Sequence, residues 1–274
     1  MARGLGWTVA IAALVLATAA SAHDELAGAL TDPEASAETR GQAVAEAAER
    51  IDAGFADSLV AVRMVLHDAR GSRSEREMRI ATLEGVDTGD RSLIVFDSPR
   101  DQRGTALLTW NHAESEDDQW LYLPALRRVK KIAARNRSGP FVGSEFAFED
   151  LTSEEVSNYT WSYVGRVACD ERECLKVERE PVERWSGYSR QEVFYDVETL
   201  RIERIEYYDR RGSHLKSLRS ADWRVHADRH WRPGYMDMVN HQTGRRTELF
   251  WAPHAFGNGF GPDDFSTTAL QRAR

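Results

Sequence analysis

A long succession of short β-patterned runs joined by turn residues restricts the fold of this chain more than any other feature. Strand candidates are Ser58–His67, Arg73–Leu83, Ser92–Phe96, Thr105–Trp110, Gln119–Leu123, Tyr159–Val167, Leu175–Glu178, Arg190–Val197, Arg201–Tyr208, His214–Val225, Tyr235–His241 and Arg245–Trp251. Their links carry turn chemistry, as in Arg70-Gly71-Ser72, Asp87-Thr88-Gly89-Asp90, Asp209-Arg210-Arg211-Gly212 and Gln242-Thr243-Gly244. Short links force neighbouring strands to pair antiparallel, because a parallel pair needs a crossover of a dozen or more residues. An antiparallel meander is the expected topology, interrupted at 139–156, where Glu145–Glu149 and Thr152-Ser153-Glu154-Glu155 read as short helical pieces.

Several of the strands are mixed on both faces. In Ser58–His67 one alternating face is Val60, Val62, Met64 and Leu66, and the other is Leu59, Ala61, Arg63 and Val65. Such a sheet must be covered on both sides or must line a cavity. Few helices are available to cover it. Asp32-Pro33 gives a start signal, Val44, Ala47, Ala48, Ile51 and Phe55 recur at helical spacing, and Gly54 stands near the stop. The expectation is a mainly β fold with helices (α+β), concave and partly open. Its tryptophans, among them Trp110, Trp120, Trp161 and Trp251, either fill that interior or line an apolar slot.

The N-terminus reads as a secretory signal. Arg3 is followed by an apolar run from Trp7 to Ala19, then by the cleavage-type sequence Ala20-Ser21-Ala22. Residues 1–22 are therefore expected to be removed, leaving 23–274 as one β-rich domain. The residue after the cut is His23 rather than a lipid-accepting cysteine, so a soluble exported, periplasmic chain is expected. In an oxidising compartment Cys169 and Cys174, which flank a tetrapeptide between two strand candidates, are expected to form a disulfide across a hairpin.

Charge is uneven. The formal net charge is −8, yet no acidic residue occurs between Asp118 and Glu145, a stretch that holds Arg127, Arg128, Lys130, Lys131, Arg135 and Arg137. The apolar loop Gly139-Pro140-Phe141-Val142-Gly143 follows, then Phe146 and Phe148. Positive charge beside apolar rings suits an anionic amphiphile or transient contact with a membrane surface. It equally suits an edge strand guarded against aggregation by lysine and arginine.

Four segments, WLYLPALRRVKKI, GPFVGSEFAFEDL, YYDRRGSHLKSL and RHWRPGYMDMVNHQTGRRTEL, resemble the outer membrane lipoprotein-sorting protein family, the LolA-like periplasmic proteins often found beside RND-type exporters. The resemblance runs from the first helix to the C-terminus. It implies an incomplete antiparallel β-barrel with a helical lid, as in LolA and LolB, around a cavity for acyl chains. It further implies a lipid or lipoprotein acyl chain as cargo, passed between membrane partners without covalent chemistry, with an RND-type exporter or inner-membrane complex as partner. The same fold also serves lipid-sensing and exporter-accessory proteins.

On this reading Arg127, Arg128, Lys130 and Lys131 meet a head group, a membrane or a partner surface. Phe141, Val142, Phe146 and Phe148 either gate the cavity or close the core beneath a long loop. Arg63, on an early strand, is a candidate for the arginine with which lipoprotein carriers hold the lid shut.

Enzymatic readings find little support. The sequence has no H-E-x-x-H, no G-x-S-x-G and no phosphate-binding glycine loop, so no catalytic residue, cofactor or hydrolase activity is expected. His226 and His230 have metal-ligand spacing only on a helix, and they fall at a strand junction beside Asp228, so no metal site is expected. Export and the acidic balance disfavour nucleic acid as a partner.

Overall fold

The structure, a computed structural model, describes residues 21–85, 89–112, 115–153, 155–227 and 229–273. The expected turn residues Asp87 and Thr88, with Glu154 and Asp228, lie outside them. Two helices precede the sheet: α1 (21–31) and α2 (Ala37–Asp52). Asp32-Pro33 separates them instead of starting the second, because the Asp32 carboxylate accepts from the Glu34 amide in a local turn. The cap of α2 is Ser36, whose hydroxyl accepts from the Thr39 amide. Phe55 lies beyond the helix end.

The sheet begins in its own middle. β1 (Asp57–His67) starts a meander through β2 (Arg73–Leu83), β3 (Arg91–Ser98), β4 (Ala106–Trp110) and β5 (Asp118–Leu123) to β6 (Arg128–Lys131), a free edge. The chain then crosses to the opposite free edge, β7 (Tyr159–Cys169). It returns through β8 (Arg172–Pro181), β9 (Tyr188–Asp196), β10 (Ile202–Asp209) and β11 (His214–Ala221). A separate hairpin of β12 (Arg224–His226) and β13 (His230–Arg232) follows. Then β14 (Tyr235–Asn240) and β15 (Arg246–Trp251) close the return onto β1, beside the short β16 (Ala255–Phe256). Every pairing is antiparallel, and β6 and β7 stay unjoined, so the barrel is incomplete. The expected single strand His214–Val225 is two, because Asp222 takes a left-handed conformation (φ 54°) that ends β11.

Alternation decides which face is inside. Val60, Val62 and Met64 of β1 join Ile94, Phe96, Leu107, Val177, Val193, Met238 and Leu249 in one core that also holds Ala22 and Leu26 of α1 and Val44, Ala45 and Ala47 of α2. The helices thus fill the concave side. Gly41 lets α2 lie directly on the edge strand: a Cβ there would stand 2.7 Å from the Ser162 amide nitrogen. On the convex side Val95, Ala106 and Leu108 are covered by Phe265 and by Leu270 of α3 (Thr267–Arg272). Both apolar faces are thereby sheltered, as two-sided burial requires. A disulfide joins Cys169 and Cys174 across the β7–β8 turn, with Cα atoms 5.6 Å apart. Among the described residues no helix is long and apolar enough to cross a membrane.

Candidate functional site

The segment that links the two free edges occupies the interior. Between Ile132 and Asn158 the chain passes from β6 to β7 through 3-10 turns that include Ala134–Asn136, Phe141–Gly143, Phe148–Leu151 and Val156–Asn158. Val142 and Gly143 both have positive φ (48° and 77°), which reverses the chain there and suits glycine at the second position. A narrow loop results, closed by the Phe141 amide donating to the Phe146 carbonyl at 2.7 Å. Phe141 and Phe146 are buried in the main core, and Val142 and Phe148 pack against it. Phe141 touches both Phe96 and Phe148, each at 5.6 Å between centroids. The structure therefore brings all four together as a plug that fills the expected acyl space with the chain's own rings.

Polar side chains from nearly every part of the barrel hold this plug. Arg76 on β2 donates to the Val142 carbonyl, Gln119 on β5 to the Phe148 carbonyl at 2.8 Å, and Arg245 to the Gly143 carbonyl at 2.7 Å. The acidic residues of the plug are gripped more firmly. Glu145 pairs with Arg245 at 3.0 Å and accepts from the Asn240 amide at 2.7 Å. Glu149 accepts from the Ser186 hydroxyl at 2.7 Å and the Gly187 amide at 2.9 Å. Asp150 accepts from Lys216 at 2.5 Å and from the Tyr188 hydroxyl at 2.7 Å.

Two of these receiving groups, Lys216 and Asn240, belong to one transverse row. Cross-strand pairing places Trp161 beside Arg179, Arg179 beside Gln191, Gln191 beside Tyr207, Tyr207 beside Lys216 and Lys216 beside Asn240. Side chains that are cross-strand neighbours share a face, so this is a polar belt on an otherwise apolar inner wall. Arg179, fully buried, donates to Gln191 at 2.8 Å and lies over the Tyr159 ring at 4.2 Å. Burial, and then the neighbouring Asp150 and Glu149 charges, push the Tyr188 phenol far above its ordinary value, which keeps it a proton donor to Asp150. Burial, followed by the charge of Asp150, raises Glu149 as well.

A second set of contacts fastens the helical cover. The β12–β13 hairpin reaches the C-terminal end of α2, where Arg232 pairs with Asp52 at 2.5 Å and Arg229 donates to the Ala53 carbonyl. His226 and His230, facing each other across that hairpin, pack on Phe256 together with His254. Burial, and after it the Arg232 charge, holds His254 down to about 4. Arg63 is placed differently: it extends from the convex face of β1, over the Phe250 ring at 4.0 Å and 3.9 Å from Glu75, on the side opposite Met64. The arginines touching the helix end are thus Arg229 and Arg232, whose role no local sequence signal announces.

The basic residues crowd one edge. Arg128, Lys130 and Lys131 lie exposed on β6, and Arg127 occupies the left-handed turn before it (φ 48°). Lys131 pairs with Asp118 at 2.5 Å, whereas Arg127, Arg128 and Lys130 form no ion pair among the described residues. Leu126 beside them is 63% exposed. A cleft of about 490 Å³ opens near the far end of the plug, lined by Glu116, Asp117, Arg137, Glu149, Glu183 and Trp185. Its lining is mixed, with Tyr159, Pro181 and Val182 standing beside these charged groups. Close by, burial and then the charges of Glu49, Asp90 and Asp117 push Glu155 up to about 7.

Chemically the arrangement holds an apolar interior shut with polar and charged contacts. A protein-family profile described as an uncharacterized protein matches residues 88–272. No curated protein matches the chain. Among solved structures it is similar to a domain named for outer membrane lipoprotein sorting from Vibrio parahaemolyticus, at 41% identity and TM-score 0.83 over 85% of this chain and 99% of that one. A DUF1329 family protein from Desulfovibrio piger matches at 27% identity and TM-score 0.81, over 86% of this chain and 99% of that one. A LolA superfamily protein from Nitrosomonas europaea shares the fold at 16% identity and TM-score 0.68, covering 84% and 98%.

Proposed function

The chain belongs to the outer membrane lipoprotein-sorting protein family, and from that premise we propose that it is a periplasmic carrier of a lipid or lipoprotein acyl chain. The observation that carries the reading is the plug. The wall of the incomplete barrel is largely apolar, and a tethered segment rich in phenylalanine fills it together with α1 and α2. In the cycle we envisage, Phe141, Val142, Phe146 and Phe148 give way to an acyl chain, which gains about 0.8 kcal/mol for each methylene buried. Lys216 and Tyr188, through Asp150, keep the empty state closed, while Arg229 and Arg232 hold the helical cover.

Arg127, Arg128, Lys130 and Lys131, with exposed Leu126, would meet an anionic head group or leaflet, and an inner-membrane complex would be the delivering partner. A basic residue at an anionic surface contributes about 1 kcal/mol. Converting all four to serine should therefore weaken binding to phosphatidylglycerol vesicles at low salt by a factor on the order of a hundred to a thousand. Native mass spectrometry with lipid extraction, on protein purified from the periplasm, tests the cargo directly. A stoichiometric lipid or acylated peptide supports the carrier. A chain that is empty and takes up no added lipid refutes it.

A further inference from the structure

The convex face of the sheet carries a cluster that the carrier reading does not use. We propose that Glu206, His214 and His241 form a binding site for a divalent transition-metal ion of the Zn2+ class. One ligand atom from each of the three lies within 4.8 Å of the others. His214 Nε2 is 2.8 Å from Glu206 Oε2, and the two imidazole rings stack with centroids 4.4 Å apart. The Ser217 hydroxyl sits among them, 2.7 Å from His241 Nε2, 3.4 Å from His214 Nε2 and hydrogen-bonded to Glu206 Oε2. Four polar atoms thus converge on one small volume. Tetrahedral coordination at about 2.0–2.1 Å from each nitrogen and oxygen needs ligand atoms roughly 3.3 Å apart, and rotation of these side chains would bring atoms already within 4.8 Å to that spacing.

Two other readings fit less well. A serine–histidine–carboxylate relay needs the serine and the carboxylate on opposite nitrogens of one imidazole. Here both face Nε2 of His214, so no relay runs through that imidazole. A simple ion pair would account for Glu206 and His214 but not for a second imidazole stacked on the first.

The surroundings already fix the ligands. Arg204 Nε lies 3.3 Å from Glu206 Oε1, which turns the other oxygen toward the histidines. The Gln242 amide bridges Asp209 at 2.9 Å and the His214 carbonyl at 3.3 Å, and the His241 amide donates to the Leu215 carbonyl at 2.9 Å. The turn after β14 is thereby stapled to the start of β11, which fixes the backbone from which both imidazoles extend. The His214 side chain is 42% exposed, so an ion can reach it from solvent. Two imidazoles and one carboxylate suit Zn2+, with water or the Ser217 hydroxyl in the fourth position, and do not suit Ca2+ or Mg2+, which prefer all-oxygen sets. The sequence gives little notice of the site because its ligands come from β10, β11 and the turn beyond β14, joined only by register.

The test is titration of the tag-free protein with Zn2+ by calorimetry, alongside X-ray absorption at the zinc edge. One ion per chain is expected, with two imidazole nitrogens in its shell. Both His241→Asn and Glu206→Gln should cost about tenfold or more in affinity and remove the rise in melting temperature that Zn2+ gives the parent. No binding by the parent, a shell with fewer than two imidazoles, or unchanged affinity in both variants would overturn the proposal. The absorption spectrum needs no variant, so a folding defect in either substitution cannot obscure the answer.

Discussion

Lys216→Met tests whether the polar belt holds the plug. Lys216 and Asp150 have side chains only 4% exposed each, and Lys216 makes two hydrogen bonds, to Asp150 at 2.5 Å and to the Glu145 carbonyl at 2.9 Å. Methionine keeps much of the volume and removes the charge. A hydrogen bond involving an ionised group contributes about 1.5–3 kcal/mol, so losing two suggests roughly 3–6 kcal/mol. Stranding one member of a buried pair costs about 3–5 kcal/mol by an independent route, and the two ranges overlap. Urea unfolding followed by tryptophan fluorescence measures the loss. Adding Asp150→Asn should return part of it, because the stranded carboxylate is then neutral, and both variants should take up an apolar fluorescent probe more readily than the parent. A Lys216→Met protein within about 1 kcal/mol of the parent, or one that Asp150→Asn does not help, would show that the pair does not secure the plug.

Two further outcomes follow from the helical cover. Gly41→Ala would place a Cβ 2.7 Å from the Ser162 amide nitrogen and 2.9 Å from that of Tyr163, both backbone atoms of β7. Overpacking of this kind costs about 1–3 kcal/mol, so thermal melting should show a clear loss, and an unchanged midpoint would mean α2 does not lie on β7 so closely. His254 is held down to about 4 by burial, with Arg232 and His226 adding to the effect and Asp52 opposing it. A base depressed in the fold stays neutral there while the unfolded chain takes up a proton. Its contribution is therefore complete above the unfolded value near 6.5 and is lost as pH falls toward 4. His254→Phe should flatten stability against pH in that window, and an unaltered slope would remove His254 as its source.

Much of the fold was legible because strand periodicity is local. Met64 and Val62 announce one face and Arg63 the other, and that alternation survives in the barrel. The basic run also told something true about position, since β6 is an edge strand. The phenylalanines of the loop were visible as apolar residues without a strand to belong to, and two readings were open for them; their burial in the core shows what closes the interior. What stayed hidden depends on register. Arg179, Gln191, Tyr207 and Lys216 come from four strands, and only pairing makes them a row. One signal was available: Lys216 shares a face with Leu218, a charge where a core side chain is expected. The β12–β13 hairpin was missed for a different reason. Its boundary is set by left-handed Asp222 and by Gly234, where a Cβ would stand 2.8 Å from the Asp222 carbonyl oxygen. Hydrophobic patterning does not register a close approach of that kind.

The plug is sewn at one end to β6 and at the other to β7, the two strands that the sheet leaves unjoined. It is therefore no detachable stopper but a cord strung between the two lips of the opening. Drawing the cord out of the interior would act on both lips together, so the width of the mouth and the room behind it would be linked. On the proposed carrier cycle, a guest that displaced the phenylalanines would also spread the rim, and a neighbour that gripped the basic lip would pull on the same cord. Loading and docking would then share one mechanical coordinate without any change in how the strands pair.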